Sequence, residues 1–190
     1  MKVIFVDIGN VLFETSYQLI YKHWAQALES EVQFVSRYFV KDEMYYQFTL
    51  GEISEMDYFN HVKKLLQTCL SIDTIISGWN RYFVKPNMEI ISFIINYQDK
   101  YVFNIISNTN ITHIKYLNKT YPKLMGLFEK TYYSYELGVR KPDLTIYEKA
   151  LFGINNCRNN TCLIDDKKEN LKAIRRFGTI PIHYQKRKFN

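Results

Sequence analysis

"MKVIFVDIGNVLFE" (residues 1–14) sets the frame for the whole chain. Its second to sixth residues are mostly apolar, β-branched or aromatic, and the run ends on a carboxylate, Asp7, followed two residues later by Gly9. A short apolar run of this kind is a strand buried on both faces, and it delivers a polar group at its carboxyl end. Similar runs recur as "YVFNIIS" (101–107), "KTYYSY" (130–135), "TCLIDD" (161–166) and "TIPIHY" (179–184), interleaved with helical patterns. The alternation predicts an α/β fold, a doubly wound and mostly parallel sheet with helices on both faces.

Residues 15–85 differ in character. They hold no convincing strand, and "SEMDYFNHVKKLLQTCL" (54–70) spaces Met56, Phe59, Val62, Leu65, Leu66 and Cys69 at helical intervals behind Ser54, a candidate N-cap. The segment is too long for one crossover helix and too short for a typical independent domain. The expected organisation is a core of 1–14 and 86–190 with an inserted helical cap, 15–85. Its hinges would be the loop after Val11 and "VKPNM" (84–88), where Pro86 disfavours helix at Lys85.

The 190 residues, 47% hydrophobic, suit one core domain with a modest insertion. No run approaches the roughly 18 apolar residues of a spanning helix, and the N-terminal run is shorter than a signal-peptide core. Three cysteines, Cys69, Cys157 and Cys162, have neither CxxC nor metal-ligand spacing, which fits idle thiols in a reducing compartment. The expectation is a cytoplasmic protein without a membrane partner, a monomer or weak homodimer. The net charge of +6 is spread among acids apart from "QKRKF" near the C-terminus, which reads as a solvated tail and not as a nucleic-acid arm.

In parallel α/β sheets ligands collect beyond the carboxyl ends of the strands, where strand order reverses. The polar residues there are Asp7, then Ser107 and Asn108, then Asp165 and Asp166. Lys141 joins them from "LGVRKPDLTIYEKAL" (137–151), in a loop ahead of a helix whose expected cap is Asp143. Clustered carboxylates repel, and a hard divalent cation relieves that cost; Mg²⁺ is typically held by one or two carboxylates plus substrate phosphate. A hydroxyl and a lysine beside them suit a phosphoryl group, which a carboxylate can attack to give an aspartyl-phosphate.

"FVDIGNVLF", "IISNTN", "LGVRKPDLTIYEKAL" and "CLIDDKKENLKAIRRFG" resemble, in that order, the four motifs of the haloacid dehalogenase superfamily. The resemblance spans 1–184 and is closest to the branch with Asp-x-Gly-Asn-Val in the first motif, which includes bacterial glucose-1-phosphate phosphatases. "LGEIS" (50–54) also resembles that branch. The resemblance implies Asp7 as nucleophile, Ser107 and Asn108 as phosphoryl-binding residues, and Lys141 paired with nucleophile and phosphate. It further implies Mg²⁺ held by Asp7, the Gly9 backbone carbonyl and Asp166. Asp165 stands where many relatives have glycine and is expected to act on the metal indirectly; Asn170 stands where many have an acid, suited to orient Lys141 or a metal-bound water.

The implied function is a Mg²⁺-dependent phosphatase acting on a small phosphorylated metabolite. Gly9 complicates it, because most such phosphatases carry there a second aspartate that protonates the leaving alcohol. A metal-independent 2-haloacid dehalogenase also lacks that acid, but would gain nothing from Asp165 and Asp166 beside an anionic substrate. A catalytically silent binding module would be expected to lose Asp7, Ser107, Lys141 or Asp166, and all four are present. A sugar 1-phosphate has a more acidic leaving oxygen and depends less on an acid; water, a cap residue or Glu14 are the other candidate donors. Response-regulator receivers use similar residues, but with the acidic pair first in the chain, whereas here it is last. Among cap residues Arg37, Trp79 and Arg81 are expected to be packed or solvated and not in the site.

Overall fold

The computed structural model describes residues 2–38, 42–154 and 160–185. Cys157 and the basic tail beyond Gln185 lie outside the described residues. Among the described residues five parallel strands form the main sheet: β1 (Lys2–Val6), β4 (Tyr101–Ser107), β5 (Lys130–Tyr133), β6 (Thr161–Asp165) and β7 (Ile180–His183), in the order β5-β4-β1-β6-β7. This is the expected fold class. The chain builds outward from β1 in one direction and then in the other, so β4, β1 and β6 lie side by side and their carboxyl ends meet.

Strand periodicity explains the layers. Ile4, Val6, Phe103 and Ile105 face one hydrophobic cluster, completed by Ile90, Ile91 and Ile94 of α6 (Met88–Tyr97) and by Ile114 and Leu117 of α7 (Ile111–Thr120). Val3, Phe5 and Ile106 face the opposite cluster, completed by Ile146, Tyr147 and Ala150 of α10 (Leu144–Leu151) and by Leu171 and Ile174 of α11 (Lys168–Ile174). Each fully buried large side chain such as Phe5 stabilises by roughly 1.5–3 kcal/mol. The short helices α8 (Pro122–Met125) and α9 (Ser134–Leu137) bracket β5.

Between β1 and β4 the chain forms α1 (Tyr17–Ala27), α2 (Val32–Tyr38), α3 (Glu43–Leu50), α4 (Glu55–Leu65) and α5 (Ile72–Asn80). These pack on a third cluster of their own, rich in aromatic rings: Trp24 and Trp79 stack at 6.4 Å, Phe48 and Tyr58 at 4.4 Å. Ser54 caps α4 by accepting from Asp57 N at 3.1 Å, as its position suggests, but the helix stops at Leu65. Met56 and Cys69, both placed on the apolar face by spacing, are exposed. The Gln67 backbone turns into the left-handed region, φ +47°, which carries Cys69 away from the helix axis.

Gly51 in "LGEIS" ends α3 with φ +75°, and a Cβ there would lie 2.1 Å from Tyr135 O, so the helical segment meets α9 backbone to backbone. The junctions of this segment form an unexpected antiparallel pair, β2 (Phe13–Thr15) with β3 (Phe83–Pro86). Both strands are too short to show alternation. No helix among the described residues is long and apolar enough to cross a membrane.

Candidate active site

Asp7 directly follows β1, and its N–H continues the ladder to Ile164 O at 3.0 Å. That anchors a nearly buried carboxylate, 7% exposed, at the centre of the sheet's carboxyl edge. Ser107 is buried at the end of the neighbouring strand and lines the same cavity as Asp7. On the other side stands Asp165, fully buried at the end of β6.

Lys141 enters between them from the loop after α9, ahead of a cis bond to Pro142. Asn108 fixes that loop with both ends of its amide: Lys141 N donates to Asn108 Oδ1 and Asn108 Nδ2 donates to Lys141 O, each at 2.8 Å. The Asn108 side chain, expected to face the phosphoryl group, is thus engaged with the lysine backbone. Lys141 Nζ is 3.0 Å from Asp7 Oδ1, 2.6 Å from Asp165 Oδ2 and 2.9 Å from Ile106 O, which occupies all three of its protons. Its contribution to an incoming anion is therefore its charge, unless one of those contacts exchanges.

Burial raises the Asp7 carboxyl to about 6, against the lowering pull of Lys141, and the Asp165 charge adds to the rise. Burial alone would lower the Lys141 ammonium, but the two carboxylates outweigh it and its pKa is raised. The lysine is thus a permanent cation in this site, held by two buried acids.

Asp165 has no free lone-pair direction for much else. Besides Lys141 it accepts from Asn170 Nδ2 at 2.9 and 3.0 Å and from Lys167 N at 2.8 Å. Asn170 thus reaches Lys141 only by way of Asp165, which both of them contact. Asp166 differs: Oδ2 accepts from Asn10 Nδ2 at 3.2 Å, whereas Oδ1 is buried with no hydrogen-bond partner. Ligand atoms of Asp7, Asp165 and Asp166 lie within 4.8 Å of one another. An unsatisfied buried carboxylate oxygen beside a second carboxylate fits a hard cation. Asp7 and Asp166, with Gly9 in the wall of the same cavity, are the residues that would hold Mg²⁺, while Asp165 pairs with Lys141.

The cavity over Asp7 is small, about 70 Å³, and α1, α3 and the β3 junction close it with Tyr17, Tyr45 and Tyr82. These tyrosines, with His113 from α7, gave no signal in a chain with sixteen tyrosines. Burial first, then the neighbouring tyrosines, holds the Tyr17 phenol far above the ordinary range, and Tyr17 Oη lies 3.2 Å from Tyr45 Oη. His113 is buried between Trp79 and Tyr82, ring centroids 5.1 Å from each. Glu14, a candidate proton donor on sequence grounds, lines an adjoining cavity of about 520 Å³, which shares Asn10 and Asp166 with the one over Asp7, and pairs with Lys85 at 3.8 Å. Trp79 is packed in the aromatic cluster, and Arg37 and Arg81 are exposed.

No family model matches the chain. Solved structures do. A HAD family enzyme of Bacteroides thetaiotaomicron, in complex with magnesium and inorganic phosphate, is 24% identical with a TM-score of 0.87, over 97% of this chain and 94% of that one. A structure described as a predicted HAD-like family hydrolase from Porphyromonas gingivalis is 19% identical with a TM-score of 0.81, over 96% and 90% of the two chains. An L-2-haloacid dehalogenase is more distant, 17% identical with a TM-score of 0.69, over 95% and 82%. The fold of this chain is therefore the fold of the HAD family enzymes.

Proposed function

We propose that this chain is a HAD superfamily phosphatase, Mg²⁺-dependent, acting on a small phosphorylated metabolite through an aspartyl-phosphate on Asp7. Residues 15–85 act as its helical cap. The observation that carries the reading is the buried Asp7–Lys141–Asp165 array with the unpartnered Asp166 Oδ1 beside it. Asp7 attacks phosphorus in line with the departing oxygen. Lys141 holds Asp7 ionised and offsets negative charge on the phosphoryl oxygens, while Ser107 donates its hydroxyl to a phosphoryl oxygen. Mg²⁺ bound by Asp7, the Gly9 carbonyl and Asp166 would neutralise charge on the transferring group. Water then hydrolyses the intermediate.

The small volume over Asp7 favours a phosphoryl group with a compact leaving group, and a sugar phosphate such as glucose 1-phosphate requires the tyrosine wall to yield. The dehalogenase reading keeps Asp7 and Lys141 but leaves Asp166 Oδ1 without a purpose. A phosphate-release screen over sugar phosphates, nucleotides and small organic phosphates, with and without Mg²⁺, tests the assignment. Mg²⁺-dependent release is expected. Chloride release from a 2-haloacid in excess chelator, with no phosphate release, would replace the phosphatase by a dehalogenase.

A further inference from the structure

Gly9 removes the acid that would serve the leaving oxygen, and the structure puts another polar group in its place. A Cβ built on Gly9 would meet one neighbour within 4 Å, the Tyr82 hydroxyl at 3.6 Å. Tyr82 lines the same small cavity as Asp7. Its position is over-determined: the ring stacks on His113 with planes 4° apart and packs on Tyr17 at 4.8 Å, and its carbonyl accepts from Ser16 N at 2.8 Å. Thr15 and Tyr17 are polar neighbours of the hydroxyl; Thr15 donates to Asn10 Oδ1 at 2.8 Å, and Asn10 donates to Asp166.

We propose that the Tyr82 hydroxyl serves as the proton donor to the leaving oxygen, in place of the carboxylic acid that Gly9 lacks. This rests on the phosphatase reading. In the first step the Asp7–phosphorus bond forms as the phosphorus–leaving-oxygen bond breaks, and the departing oxygen takes the Tyr82 proton. In the second step water attacks phosphorus, the Asp7–phosphorus bond breaks, and a proton from that water returns to the Tyr82 oxygen. Burial, with the Asp7 charge among the further causes, pushes the phenol up to about 12, so it is protonated at neutral pH and remains a stronger acid than an ordinary alcohol.

The test compares two esters, p-nitrophenyl phosphate, whose leaving group needs no proton, and a small alkyl phosphate, whose leaving group does. Tyr82→Phe keeps the ring and its stacking. It should lower kcat on the alkyl ester by at least about 100-fold and change that on the aryl ester by less than about threefold. Gly9→Asp in the Tyr82→Phe background should restore alkyl-ester turnover, since the added side chain has ordinary contact distance there. An equal fall on both esters, or no fall on either, overturns the proposal while leaving the phosphatase reading intact, provided Asp7→Asn abolishes both activities. A wild-type enzyme that releases phosphate from neither ester overturns both.

Discussion

His113 makes the junction between α5 and α7 acid-sensitive. Asn110 Oδ1 accepts from His113 N at 3.0 Å, which turns Asn110 Nδ2 toward His113 Nδ1 at 3.3 Å and makes that nitrogen an acceptor. Nε2 then carries the proton and donates to Trp79 O at 3.4 Å. The ring is neutral in the folded state because burial lowers its pKa from 6.5 to about 3, against a small raising effect of the Trp79 carbonyl. A histidine whose folded pKa is depressed binds fewer protons folded than unfolded. Its contribution is therefore complete above 6.5 and is lost as pH falls, at about 1.4 kcal/mol per unit, until about 3. Between pH 8 and pH 5 the loss assigned to this one group is about 2 kcal/mol. Urea unfolding of wild type and His113→Phe at the two pH values isolates it, since other titrating groups cancel in the difference. The wild type should lose about 2 kcal/mol more than the variant over this interval. Equal losses would refute the buried neutral imidazole.

Asp7→Asn should abolish turnover while leaving the melting temperature close to wild type, and a folded variant retaining much of its rate would exclude the aspartyl-phosphate. Asp166→Ala should raise the Mg²⁺ concentration needed for half-maximal activity; an unchanged metal titration would remove Asp166 from the metal site. Lys141→Met should cost at least about 100-fold in turnover, the scale of losing one preorganised charge-stabilising group. Gly78→Ala, which stabilises an ordinary exposed helix by about 1 kcal/mol, should instead destabilise here. The added Cβ would lie 2.2 Å from Trp24 Nε1 and 2.8 Å from His23 Cδ2, and a higher urea midpoint would contradict that packing.

The three central strands, β1, β4 and β6, and the residues at their ends were legible because burial on both faces leaves nearly unbroken apolar runs, and the first polar group after each run falls at the sheet's carboxyl edge. Residues 101–107 form β4 with those bounds, and Asp7, Ser107, Lys141 and Asp165 come together as their places in the sequence suggest. The motif also placed Asn170, but not its contact with Asp165, which depends on a side-chain hydrogen bond across one turn. Tyr82 was illegible for a different reason. It belongs to the site only because two junctions far apart in sequence pair as β2 and β3, and one aromatic residue among many carries no mark of that pairing.

That pairing has an evolutionary consequence. The chain leaves the sheet through β2 and returns through β3, hydrogen-bonded neighbours with Phe13 opposite Pro86. The helices described between them join the main sheet covalently through this two-stranded stalk and meet the core again at α7 and α9, so a cassette of different length that keeps those contacts can be spliced in without re-registering any strand of the main sheet. Selection for a new substrate can then act on the cassette, while selection for chemistry acts on the sheet's edge. Tyr82 lies just ahead of β3 at the splice itself, so recombination that moves the junction by a few residues would also exchange the side chain that faces Gly9.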